Sequence, residues 1–98
     1  MKLDSLTEEE IRNVIYKILC KIETDKAIVE KVMKYSPIVK TNAGYCFEYY
    51  NGFEHKLCCI SDRKVYVSSE GEQDNKHLTN YLKTVLHEVA EEKYSHQI

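Results

Sequence analysis

Apolar positions recur with a period near 3.6 at both ends of the chain and with a period of two in the middle. Ile11, Val14, Ile15, Ile18, Leu19 and Ile22 share one helix face, the spacing of an amphipathic helix. Thr7 and Glu10 supply a capping box at its start, and Leu6 with Ile11 a hydrophobic staple,. Thr24-Asp25 reads as a second N-cap, followed by Ile28, Val29, Val32 and Met33, and Ser36-Pro37 stops the pattern because a residue before proline avoids helical geometry,. Two helices with a short break are expected there, although Ile22 and Val29 lie one heptad apart and also suit one longer helix. A third stripe, Leu78, Tyr81, Leu82, Val85, Leu86, Val89, Ala90 and Tyr94, predicts a long C-terminal helix capped by Asp74 or Asn75,.

Between these helices lies an aromatic hairpin, Gly44 to Ile60, with Asn51-Gly52 between two apolar runs. Both turn residues tolerate left-handed backbone, which makes the pair a strong hairpin signal. A loop of Asn51-Gly52 alone would scatter the apolar residues over both faces. A loop of Tyr50-Asn51-Gly52 instead pairs Tyr49 with Phe53, Phe47 with His55 and Tyr45 with Leu57. That register, preferred here, gathers Tyr45, Phe47, Tyr49, Phe53 and Leu57 on one face. Ser61-Asp62-Arg63 then reads as a tight loop into Lys64–Ser68, adding Val65 and Val67 to the face of Leu57 and Cys59,. Ile38-Val39-Lys40 is a candidate short edge strand.

The expected fold is α+β: two N-terminal helices, an antiparallel meander of three to four strands, and a long C-terminal helix packed on one sheet face. Ninety-eight residues suffice for a single domain, 1–98, and one core,. The opposite sheet face would carry Cys46, Glu48, Tyr50, Glu54, Lys56, Cys58 and Tyr66. Its amphipathic tyrosines are of the kind enriched at protein interfaces. The binding surface is accordingly expected at Tyr50, Lys56, Tyr66 and Glu48, together with Glu70 and Glu72 in the acidic connection 68–75.

Composition narrows the functional classes. The chain is 43% hydrophobic and 31% charged, with a formal charge of −2. A nonspecific nucleic-acid binder draws its affinity from a basic excess that is absent here. No apolar run is long enough to span a bilayer, and the start Met-Lys-Leu-Asp-Ser-Leu-Thr-Glu-Glu-Glu lacks a signal-peptide core, so a cytosolic location with reduced cysteines is expected,.

Catalytic and metal motifs are incomplete. His87-Glu88-Val89-Ala90-Glu91 looks like a zinc-protease helix motif, but the second histidine position is Glu91 and no third ligand is evident,. Cys58 and Cys59 adjoin on a strand, point to opposite faces and suit no shared metal. Glycine occurs only at Gly44, Gly52 and Gly71, leaving no phosphate-cradling loop. Neither an enzyme, a metal site nor a cofactor is expected.

Two stretches resemble RNA-binding families. Gly44-Tyr45-Cys46-Phe47-Glu48-Tyr49-Tyr50 is similar to the aromatic strand of RNA recognition modules, whose rings stack on bases,. It departs from that pattern at Ala43, Cys46 and Glu48. From residue 25 onward the helix, three strands, helix order is similar to a double-stranded RNA-binding domain, which implies an αβββα fold. The lysine cluster of that family is replaced by Glu70-Gly71-Glu72-Gln73-Asp74-Asn75-Lys76. The charge therefore favours another reading, a protein-binding regulator or inhibitor of the kind phage and mobile elements encode. Its partner would be another protein, or a second copy forming a homodimer. RNA, a small ligand and metalloenzyme chemistry remain as alternatives.

Overall fold

The structure, a computed structural model, describes residues 2–42, 44–68 and 76–95, the last three by backbone only. Among these residues a short 3-10 turn, Leu3–Ser5, precedes α1 (Glu8–Ile22) and α2 (Lys26–Tyr35). Four strands follow, β1 (Val39–Lys40), β2 (Gly44–Asn51), β3 (Glu54–Ser61) and β4 (Val65–Ser68), and α3 (Lys76–Ser95) closes the chain. The sheet is antiparallel in the order β1-β2-β3-β4, and α3 packs on β4 and against α1. The architecture is α+β, with the core between the helices and one sheet face.

Local signals set the helix ends. Thr7 Oγ1 accepts from the Glu10 N–H, and the Glu10 carboxylate accepts from the Thr7 N–H, a complete capping box,. Asp25 caps α2 by accepting from the Ala27 N–H. The break between α1 and α2 is real, and Arg12 of α1 donates to the Met33 carbonyl near the end of α2. Ile11, Val14, Ile15, Ile18 and Leu19 are buried along α1, as are Leu82, Val85, Leu86 and Val89 along α3. The expected cap at Asp74 or Asn75 and the Tyr94 side chain lie outside the described residues.

The strand registers differ from expectation at both loops. Asn51 pairs with Glu54, so Gly52-Phe53 forms the first loop. Gly52 has φ +65°, and no other residue type among those described has positive φ. Glycine at the first central position is the arrangement of a type II′ turn. Tyr49 therefore faces Lys56, Phe47 faces Cys58 and Tyr45 faces Ile60, not Phe53, His55 and Leu57. This odd-numbered shift exchanges the two faces of β3. Cys58 and Ile60 enter the core, Leu57 and Cys59 leave it, and Phe53 stands fully exposed at the turn.

At the second loop Ser61 donates its N–H to the Lys64 carbonyl, and only Asp62-Arg63 intervene. That odd shift by one residue exchanges the faces again. Val65 and Val67 thus return to the core side, where they had been expected, opposite Ile60 and Cys58. Gly44 is required where β2 begins: a Cβ there would lie 2.0 Å from the Ile60 carbonyl oxygen, far inside van der Waals contact.

Candidate functional site

Of the six residues expected to form one binding surface, the four that are described do not all share one sheet face. Glu48 and Tyr50 stand on the outer face of β2, and Tyr66 lies on the same face two strands away, opposite Cys59. Lys56 does not join them. The corrected register turns it to the core side, where its side chain is 15% exposed and its Nζ donates to Glu23 Oε1 at 3.0 Å. Glu70 and Glu72 lie outside the described residues.

Glu23 is a polar residue that helical periodicity alone did not mark. It follows α1 directly, its N–H bonds to the Leu19 carbonyl, and it is 6% exposed. Its carboxylate accepts from the Tyr49 hydroxyl at 2.8 Å, Asn51 Nδ2 at 3.0 Å and the Lys56 ammonium. Three donors around one buried carboxylate leave it satisfied, so the cluster serves as an anchor between helix and hairpin. Burial, and then the Glu23 carboxylate, push the Tyr49 phenol well above its ordinary range.

An open groove of about 870 Å³ runs along the outer edge of β2. Its helical wall carries Ile28, Lys31, Val32 and Tyr35, and its strand wall runs from Cys46 to Tyr50. The groove exists because β1 is short. Pairing with β1 covers only Tyr45 and Cys46, and the chain enters β1 through Pro37, which has no N–H to extend the ladder.

Backbone alternation then determines what the groove meets. The closing pair Asn51 and Glu54, and every second pair after it, exchange hydrogen bonds across β2 and β3,. The intervening residues of β2 aim their N–H and carbonyl groups at the other edge, as the bond from the Thr41 N–H to the Gly44 carbonyl shows. Cys46 in this set lies against β1, whereas Glu48 and Tyr50 have no strand opposite them among the described residues. Tyr35 and Tyr50, 68% and 66% exposed, line this groove.

The charges around the groove are unequal. Glu48 Oε2 lies 3.8 Å from His55 Nε2, and the His55 ring tilts against Tyr50 with centroids 5.1 Å apart. Lys31 forms no ion pair with a described residue.

Other candidate chemistry resolves into simpler contacts. His87 and Glu91 pair at 3.0 Å across one helical turn in solvent, and Glu88 binds Lys17. No group of three or more metal-ligating side chains occurs among the described residues. Phe47 is buried, so the middle ring of the RNA-module-like strand faces the core. Among the described residues, no helix is long and apolar enough to cross a membrane. Comparisons with protein-family models, curated proteins and solved structures find no match to this chain.

Proposed function

We propose that this protein is a small cytosolic protein-binding module, a regulator or inhibitor that takes up an extended segment of its partner as an added strand on β2. The observation that carries this reading is the uncovered backbone of Glu48 and Tyr50 beside an apolar groove. Strand addition supplies affinity through main-chain hydrogen bonds and specificity through alternate side chains in flanking pockets. Tyr35 and Tyr50 would clasp the apolar side chains of such a segment, and Lys31 favours an acidic residue where the segment passes α2.

A partner strand fits this edge better than a second copy does. Pairing two β2 strands about Tyr49 would set Gly52 of the second copy opposite Cys46, a place already held by Val39. A lone extended segment can end or turn aside before reaching Val39.

The test is selection of binders from a displayed library of unstructured peptides, followed by amide hydrogen exchange. Selected peptides should slow exchange at Glu48 and Tyr50, and Glu48→Pro, which deletes one edge donor, should weaken binding by tenfold or more while the fold persists. Peptides that leave both amides unprotected, or bind the proline variant equally well, would sink the proposal. A concentration-dependent dimer protecting the same amides without peptide would instead assign the edge to a second copy.

A further inference from the structure

A thiol pair lies on the outer sheet face. The chain has four cysteines, and all are free. Cys46 of β2 and Cys59 of β3 stand directly opposite one another, and both are partly exposed. Because Asn51 and Glu54 close the turn as a hydrogen-bonded pair, alternation makes Cys46 and Cys59 a pair without mutual backbone bonds,. In such pairs the Cα atoms lie about 4.5 Å apart and the side chains approach most closely. A disulfide accepts Cα separations of about 4.4–6.8 Å, so the strands need little movement to be bridged.

The other two thiols are placed differently. Cys58 is buried on the opposite face, and Cys20 is exposed on α1. Burial, and then the neighbouring Cys46 thiol, push the Cys59 thiol up to about 11. Cys46 also lines the open groove beside β2, where Cys59 does not, so Cys46 is placed to meet the oxidant first.

We propose that Cys46 and Cys59 form a reactive dithiol that closes to a cross-strand disulfide by exchange with a small-molecule disulfide. The Cys46 thiolate attacks one sulfur of the oxidant, breaking its S–S bond and releasing one thiolate. A mixed disulfide results at Cys46. Cys59 then gives up its proton, and its sulfur attacks the Cys46 sulfur, expelling the second thiolate. Two protein thiols are oxidised, one disulfide is reduced to two thiols, and the two protons pass to the released thiolates. Excess dithiol reverses the sequence.

The test uses the full chain carrying Cys20→Ser, exposed to glutathione disulfide and analysed without reduction. The expected product is monomeric and lighter by two hydrogens, with a tryptic linkage joining 41–56 to 57–63 and fragmentation placing it on Cys59. Cys59→Ser should instead accumulate the glutathione adduct at Cys46, and Cys46→Ser should give no intramolecular bridge. The bridged chain should melt at a higher temperature than the reduced one, a shift erased by dithiothreitol. A lasting adduct at Cys46 in the Cys20→Ser chain, a linkage through Cys58, or bridges only between molecules would each overturn the proposal. Serine on this exposed face conserves size, and urea unfolding of each variant identifies any that fails to fold.

Discussion

Neighbouring residues of β2 have opposite fates, and Tyr49 and Tyr50 show the contrast most directly. Tyr49 is buried with its hydroxyl on the Glu23 carboxylate, whereas Tyr50 is two-thirds exposed beside His55. The two differ by one step along a strand, which is enough to change faces. Phe47, Tyr49, Lys56, Cys58 and Ile60 tie the hairpin to the helices. Cys46, Glu48, Tyr50, Leu57 and Cys59 leave its backbone edge and its thiols accessible. Rigidity on one face would hold the other in register for the strand addition proposed above.

The largest test of this contrast is Phe47→Ala, which should lower unfolding free energy by about 3–5 kcal/mol in urea titration because the ring is buried in a packed core,. An equal loss from Tyr50→Ala would break the comparison. Glu23→Gln should come next, costing about 2–3 kcal/mol. That is below the range for a wholly buried pair, since Lys56 keeps some contact with water,. Combining it with Lys56→Met should restore part of the loss, as expected when an uncompensated charge causes the damage.

Alkaline titration separates the faces by another route. The Tyr49 pKa is raised on folding. Its contribution to stability is therefore complete below the unfolded value near 10 and is lost as pH rises toward the folded value,. Tyrosinate absorbance should show one phenol that ionises only as the protein unfolds, and Tyr49→Phe should remove that component. Lys17 behaves with the same sign: its hydrogen bond to Glu88, opposed by burial, raises its pKa, and the benefit fades above pH 10.5,. Lys17→Ala should cost only about 0.5 kcal/mol, because Glu88 is half-exposed,. Smallest of all, Tyr50→Ala should change stability by less than about 0.5 kcal/mol yet reduce peptide affinity severalfold.

Legibility in the sequence followed the range of the forces involved. The α1 cap, the α1–α2 break and the helix stripes rest on interactions within four residues, and the chain spells them out. Register was harder because Lys56-Leu57-Cys58-Cys59-Ile60 contains apolar residues at both parities, so either face of β3 could be read as the inner one. The expectation of Val65 and Val67 in the core was correct only because two odd-numbered loop shifts cancelled. Leu3, buried with its N–H bonded to Asp62 at 2.6 Å, carried no periodic signal because its turn is too short to display one.

The edge groove was equally hidden. Pro37 and the weak strand beside it were visible, but their sequence does not reveal that α2 stands off from β2 and leaves Glu48 and Tyr50 uncovered. What the sequence alone determined was the set of elements, their order and the alternation within β2, since these follow from local backbone preference and the period of burial. Tertiary structure decided which residues of β3 lie inside, that Lys56 serves the Glu23 anchor, and that Cys46 meets Cys59. Those outcomes depend on which donors, acceptors and volumes meet across long stretches of chain, where a shift of one residue exchanges every contact.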